Sequence, residues 1–148
     1  MEIVKDKVLQ PGRIFNNVKF VRCYNLGAVL KNCIWQSGMW FDGIWERGKW
    51  KNGYWEKGSF SGKLWENGYW KSGIWEFGVW KGGIWESGYW KSGIWHSGIF
   101  KDGFWAFGKF KDGIWQNGYW EDGKWENGVW ESGRWEKGKG KNNRIWKS

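Results

Sequence analysis

The chain has 148 residues, of which 22% are aromatic, 25 are glycine and one is proline, and its formal net charge is +9. This aromatic content argues against intrinsic disorder, and two cysteines are too few for a disulfide framework. The positive charge lies at the ends, because residues 134–148 carry six basic side chains against one acidic and residues 1–22 carry five against two. Residues 23–133 are nearly neutral, so the charge alone does not indicate a nucleic-acid-binding protein.

Residues 1–12 alternate apolar and charged side chains and end in the turn sequence Gln10-Pro11-Gly12. The alternation predicts a β-strand, and a repeat array needs an atypical first segment to cover its open end. We therefore predict an N-terminal cap strand at 1–12. The segment lacks the apolar core of a signal peptide, so we expect no secretion signal and a cytoplasmic protein with free thiols at Cys23 and Cys33.

A five-residue repeat fills residues 13–139. Residues 83–87 (GIWES) and 88–92 (GYWKS) are two successive copies, and every fifth residue from Trp35 to Trp135 is aromatic. The five-residue spacing begins before the first Trp. Large side chains occupy one position of the unit and small ones lie two residues earlier; the large ones are Phe15, Phe20, Leu30 and Trp35, and the small ones are Val18, Cys23, Ala28 and Cys33. Residues two apart on a strand share a face, so both should enter the core. Asn25 is an exception at the large position.

This pattern resembles the pentapeptide-repeat family, whose unit has a small residue, a polar residue, a central Leu or Phe and two turn residues; residues 28–32 (AVLKN) fit it closely. The resemblance implies an all-β fold, a β-solenoid in the form of a right-handed quadrilateral parallel β-helix with four units, or about 20 residues, per coil. Trp at the central position is not usual for the family. We interpret Gly two residues before Trp as a volume exchange, since cores tolerate swaps that conserve total volume.

An antiparallel meander of three-residue strands with two-residue turns is the alternative fold. Asn-Gly, Asp-Gly and Ser-Gly pairs favour tight hairpins, and in that arrangement every Trp would lie on one face. Lys and Glu after the aromatic residue also alternate from one unit to the next, as at Glu86 and Lys91. At Gly62-Lys63 the glycine has moved one place, which would direct Lys63 into a quadrilateral core but suits a hairpin turn.

Residues 140–148 leave the repeat and form either a basic tail or a cap. We predict that the basic C-terminal region contacts a partner, and its candidate residues are Arg134, Lys137, Lys139, Lys141, Arg144, Trp146 and Lys147. A protein partner in an assembly, including a second copy of the chain, is the first expectation. Nucleic acid is a weaker one, and no apolar run is long enough to span a membrane.

No residue pattern indicates catalysis. His96 occupies an outward position where other units carry Glu76 and Gln116, and no Cys, His or Asp cluster has metal-ligand spacing. We therefore expect no enzyme, cofactor or metal. The main hypothesis is a structural or docking β-solenoid in a larger assembly. Similar aromatic-Gly arrays in large tailed phages imply a virion or tail component. The alternatives are nucleic-acid binding through the basic ends, or glycan binding if the Trp ladder is exposed.

Overall fold

A computed structural model describes residues 1–140 as a parallel β-solenoid with no helix in that range. Partner residues in successive turns lie three repeat units apart through most of the chain, as in the pairs Trp70 with Trp85 and Trp120 with Trp135. Three five-residue units therefore complete one turn, and the rod has three faces. We number the faces in chain order.

Face 1 begins with β1 (Glu2–Lys5) and β4 (Val18–Val21) and ends with β15 (Ile94–Trp95), β18 (Lys109–Phe110) and β21 (Lys124–Trp125). Face 2 is a nine-stranded sheet of β2 (Val8–Leu9), β5 (Cys23–Asn25), β7 (Gly38–Trp40), β9 (Tyr54–Trp55), β11 (Tyr69–Trp70), β13 (Ile84–Trp85), β16 (Ile99–Phe100), β19 (Ile114–Trp115) and β22 (Val129–Trp130). Face 3 begins with β3 (Ile14–Asn16) and ends with β14 (Tyr89–Trp90), β17 (Phe104–Trp105), β20 (Tyr119–Trp120) and β23 (Arg134–Trp135).

Four longer strands pass through the corner from face 3 to face 1 and join those two faces into one sheet; they are β6 (Val29–Trp35), β8 (Ile44–Trp50), β10 (Ser59–Trp65) and β12 (Ile74–Trp80). Nine turns at ~4.8 Å each make the rod about 43 Å long. Residues 2–9 of the predicted cap segment form the first turn, because β1 and β2 pair in parallel with β4 and β5.

The core consists of three columns of stacked aromatic rings. Every indole from Trp35 to Trp120 is fully buried. Along a column the rings lie nearly parallel, as in Trp75 and Trp90 at 4.8 Å and 4°. Within a turn they meet edge to face, as in Trp85 and Trp90 at 5.8 Å and 72°. Both arrangements are favourable for aromatic quadrupoles, at about 0.5–1.5 kcal/mol per pair beyond the burial of apolar area.

Several indole nitrogens bond to the backbone of the next turn. The Nε1 of Trp90 donates to the carbonyl oxygen of Phe107 at 3.1 Å, and Trp70 donates to Ser87 in the same way. Other indoles lack this bond: the buried Nε1 of Trp105 has no acceptor within residues 1–140. The rings are therefore held mainly by packing, with hydrogen bonds at some positions.

The prediction of a parallel β-solenoid is confirmed, but the predicted coil of four units is wrong, because three units complete each turn. Three inward rings, which meet edge to face, fill the cross-section, and Gly two residues earlier adds no side chain to it. The phenylalanines that replace Trp in the core do not form a column of their own. Phe60 instead stacks between Trp45 at 5.8 Å and Trp75 at 4.3 Å.

The meander alternative is also wrong, since all strand pairs within residues 1–140 are parallel. The corners use residues of positive φ to continue a parallel coil and do not form the turns of a hairpin. In the first turns these are polar residues such as Asn17 and Asn32, both at φ 57°. Lys63 adopts φ 64° after Gly62 at 88°, and its side chain is exposed rather than directed into the core.

Backbone geometry, rather than volume exchange, explains the repeat glycine. At Gly88 φ is +122°, and an added Cβ would lie 2.6 Å from the carbonyl oxygen of Gly73 in the preceding turn. An L side chain would therefore be strained and would separate the turns. Where the small position is not glycine, as at Cys23, Ala28 and Cys33, the side chain is buried as predicted.

Asn25 replaces an aromatic ring in the second turn and is fully buried. Its Oδ1 accepts bonds from the backbone N–H of Ala28 at 2.8 Å and of Gly27 at 3.2 Å, and its Nδ2 donates to the carbonyl of Ala28 at 3.1 Å. The amide thus fixes this corner, which explains how a polar residue is tolerated in the column.

Candidate docking surface

The outer surface of face 2 carries an uninterrupted row of apolar side chains. On each strand the residue before the buried ring points outward, and the register places these residues above one another from turn to turn. We call this row the apolar column; it consists of Val8, Tyr24, Met39, Tyr54, Tyr69, Ile84, Ile99, Ile114 and Val129. The members near the N-terminal and C-terminal ends of the rod are well exposed, 45% for Tyr24 and 56% for Val129.

The other two faces lack such a row. On face 1 the corresponding positions include Lys19, Lys49, Lys109 and Lys124. On face 3 the row is apolar over part of its length but is interrupted by Ser59 and ends at Arg134. Contiguous apolar surface on a folded chain is typical of an interaction site.

A second row flanks the apolar column on face 2. The residue after each buried ring also points outward, and we call this row the flanking column; it consists of Leu26, Phe41, Glu56, Lys71, Glu86, Lys101, Gln116 and Glu131. Its charges alternate in sign from Glu56 to Lys101, because successive units alternate Glu and Lys and each turn has three units. Lys71 and Glu56 are 3.7 Å apart, an ion pair between adjacent turns.

Tyrosines connect the two columns. Tyr54 donates a hydrogen bond from its hydroxyl to Glu56 at 3.2 Å, and its ring stacks on Tyr69 at 5.6 Å. Partial desolvation, with Glu56 adding to it, raises the pKa of Tyr54, and desolvation together with Glu86 raises the pKa of Tyr69. A shallow depression of about 490 Å³ lies between the columns here, lined by Tyr54, Tyr69, Lys71 and Glu86.

The described members of the predicted basic contact region lie at the lower end of the rod but do not form one cluster. Arg134 pairs with Glu136 at 3.2 Å and lies over the ring of Tyr119 at 5.6 Å on face 3. Lys137 is exposed, and its carbonyl accepts the Nε1 bond of Trp120 at 3.0 Å. Lys141, Arg144, Trp146 and Lys147 lie outside the described residues.

Lys139 borders a groove of about 860 Å³ at the corner before face 1. Stacked glycines form its floor, and Phe107, Ile94, Lys109 and Lys124 form its walls. Lys109 and Lys124 both pair with Glu126, at 3.6 and 3.7 Å, so much of their charge is compensated locally. The groove therefore combines an exposed ring with partly neutralised lysines.

The residues considered for catalysis are separated from one another. His96 is half-buried on face 1, and desolvation, with Lys111 and Lys81 on the adjacent turns, lowers its pKa. Cys23 and Cys33 are free and buried, and burial raises the pKa of the Cys33 thiol. Within residues 1–140 no group of three His, Cys, Asp or Glu side chains could hold a metal ion, and no helix could cross a membrane.

Comparisons of the chain with models of protein families, with curated proteins and with solved structures find no match. Sequence reasoning placed the contact region at the basic C-terminal end and did not identify the apolar column. The signal was present, since every third unit from Met39 to Val129 carries an apolar or Tyr residue before the ring.

Proposed function

We propose that this chain is a non-enzymatic structural rod that docks into a larger assembly through face 2. The observation that supports the proposal is the apolar column, which runs the length of the rod without a charged residue. Stacked rings fill the interior and leave the outer faces to carry any interaction. A rigid ladder of nine turns presents such a surface in fixed register.

The setting in a tailed-phage virion or tail rests on the sequence resemblance, and it is part of the proposal. Cytoplasmic synthesis before assembly is the matching expectation for location. In such a setting the rod would act as a spacer, with face 2 as its attachment side and the ends free for further contacts.

Fractionation of the native source by sedimentation tests the proposal. The chain should be found in a particle much heavier than its own 17.6 kDa, and it should leave that particle under conditions that weaken apolar contacts. A chain that sediments only as a free monomer in its native source would contradict the docking function.

Nucleic-acid binding through the basic end is a second candidate. It is favoured by the row Lys109, Lys124 and Lys139, which pair from turn to turn at the end of the described residues. Such binding should weaken steeply as salt increases, because lysine contacts release counterions from the phosphate backbone. DNA that causes no electrophoretic shift at low salt would exclude it.

The glycan alternative depended on an exposed Trp ladder, and the indoles of that ladder are buried. The aromatic rings outside the core do not replace it. Tyr89, Phe104 and Tyr119 stack on one another at 5.1 and 5.0 Å, so their faces are turned along the rod and mainly their edges meet solvent. Sugars stack on ring faces, so these edges do not support glycan binding.

A further inference from the structure

We infer that the partner of face 2 is a second copy of this chain, packed antiparallel about a two-fold axis between the turns of Tyr69 and Ile84. This inference rests on the proposed function, since it names the occupant of the same surface. It follows from the order of side chains along the two columns.

A two-fold axis in the plane of the face and perpendicular to the rod leaves each column opposite its own copy and reverses the rod direction. With the axis between the turns of Tyr69 and Ile84, the apolar column pairs aromatic or long residues with aliphatic ones. The pairs are Tyr69 with Ile84, Tyr54 with Ile99, Met39 with Ile114, and Tyr24 with Val129. Large residues from the N-terminal half of the rod thus meet branched residues from the C-terminal half in every pair.

The same axis pairs opposite charges in the flanking column. Lys71 faces Glu86 of the second copy, and Glu56 faces Lys101, each twice by symmetry. At the neighbouring corner position Lys57 faces Asp102. No two like charges of this column face each other. Charge complementarity of this kind fixes register and suppresses other arrangements.

Two nearby registers on face 2 bring like charges together. An axis through the turn of Lys71 would oppose Lys71 to its own copy and Glu56 to Glu86. An axis between the turns of Glu86 and Lys101 would oppose Glu56 to Glu131. In both registers the apolar columns still meet, but like charges of the flanking columns repel each other.

A third register avoids repulsion but loses charge pairs. An axis between the turns of Glu56 and Lys71 keeps the contact between those two residues. It sets Glu86 against Phe41 and gives Lys101 no opposite charge. Covering a charge without a partner is costly. The axis between Tyr69 and Ile84 leaves one such charge, Glu131 against Leu26, whereas this register leaves two, so the former is favoured.

The other faces are less complementary to themselves. On face 3 the axis between the turns of Glu76 and Lys91 opposes Glu46 to Glu121. On face 1 the central axis opposes Lys49 to Lys124 in the row before the ring. An axis one turn earlier on face 3 opposes no like charges, but it joins only Glu46 to Lys91 and places Ser59 at the centre. Within residues 1–140, face 2 therefore combines the longer apolar row with more pairs of opposite charges.

The size of the surface sets the expected affinity. Eight paired turns at ~4.8 Å and a width of about 13 Å bury roughly 500 Å² per copy, so about 1,000 Å² in total, the lower limit of a specific interface. We therefore expect dimerisation at micromolar rather than nanomolar concentration. The Tyr and Met residues of the apolar column belong to types enriched in interfaces.

The experiment uses exchange of charge between two variants of the full chain. Lys71→Glu alone sets two carboxylates opposite each other, and Glu86→Lys alone sets two ammonium groups opposite each other, so each variant should dimerise at least tenfold more weakly than wild type. In an equimolar mixture the mixed dimer has one site with both native charges and one with both charges exchanged. Both sites join opposite charges, so dimerisation should return to the wild-type level. Sedimentation equilibrium from about 1 to 500 µM measures all three, a range chosen for an interface near the lower size limit.

Face 3 supplies the matched control. Lys91 is 49% exposed and pairs with Glu76 at 3.2 Å, much as Lys71 is 51% exposed and pairs with Glu56. Lys91→Glu and Glu76→Lys should each dimerise as wild type does. Ile84→Lys should prevent dimerisation and Ile74→Lys on face 3 should not, with circular dichroism confirming that both fold.

A wild-type chain that stays at 17.6 kDa up to the highest concentration would overturn the inference. Equal weakening by Lys91→Glu, or a mixture of the Lys71 and Glu86 variants that stays monomeric, would overturn it as well. These results are separable from failure of the proposed function. A monomeric chain that still sediments with a large native particle leaves face 2 as a docking side with a different occupant.

Discussion

Gly88→Ala tests the reason for the repeat glycine. Gly88 has φ +122°, and the new methyl group would lie 2.6 Å from the carbonyl oxygen and 3.1 Å from the nitrogen of Gly73. A strained backbone conformation costs about 1–3 kcal/mol. The contact adds to this cost, because its partner is backbone of the preceding turn and cannot move as a side chain could. We therefore expect a loss of about 3 kcal/mol or more in the free energy of unfolding.

Gly82→Ala is the control within the same chain. Gly82 does not have positive φ, and a Cβ there would meet its nearest atom, the carbonyl oxygen of Glu66, at 3.6 Å. This substitution should be neutral or stabilising by about 0.4–1 kcal/mol, because alanine restricts the unfolded chain. Urea denaturation followed by far-ultraviolet circular dichroism measures both variants. A Gly88→Ala chain within about 0.5 kcal/mol of wild type would refute the proposed role of backbone approach, since that is the spread of neutral substitutions.

Three further predictions concern the core and the titrating group. Trp90→Phe should destabilise the chain by about 1 kcal/mol more than Trp105→Phe in chemical denaturation, because only Trp90 loses an indole hydrogen bond; equal losses would contradict this. Asn25→Leu should cost about 1–3 kcal/mol in the same assay by leaving the corner N–H groups unpaired, and an unchanged stability would show that they find other partners. The pKa of His96 should lie below 6.5 by NMR, and stability should fall slightly as pH drops through 6.5 toward that lower value, because the unfolded chain binds the proton more readily. His96→Gln should remove this pH dependence, whereas a pKa above 6.5 would contradict the assigned causes.

The parallel solenoid could be predicted because the alternation of small and large residues begins before the Trp array. Val18, Cys23, Ala28 and Cys33 show that two residues per unit point inward, which a meander with tight turns does not require. The buried position of the indoles followed from the same phase. These are local properties of a strand, so the sequence carries them directly.

The alternation of small and large residues does not give the number of units per turn, since three-sided and four-sided coils share this alternation. The charge period carried the missing information. Glu86 and Lys101 are three units apart and opposite in sign, whereas Lys71 and Lys91 are four units apart and alike. Three-unit turns therefore stack opposite charges, and four-unit turns would stack like charges. The ion pairs Lys71–Glu56 and Lys91–Glu76 between adjacent turns agree with this reasoning.

Predicting the apolar column also required the number of units per turn. In four-unit turns, Tyr54, Tyr69 and Ile84 would lie on three different faces, and the row that joins them would not form. The predicted contact region was instead placed where net charge is highest. Arg134 illustrates why charge was an insufficient guide, because it is engaged with Glu136 and Tyr119 of its own rod.

Hydroxyl-radical footprinting of the chain inside its native assembly tests the central claim most directly, because the chain offers oxidisable residues on two faces for comparison. Relative to the free chain, oxidation of Met39, Tyr54 and Tyr69 on face 2 should fall, while oxidation of Tyr89 and Tyr119 on face 3 should stay unchanged. Equal protection of both sets, or protection confined to face 3, would contradict docking through face 2.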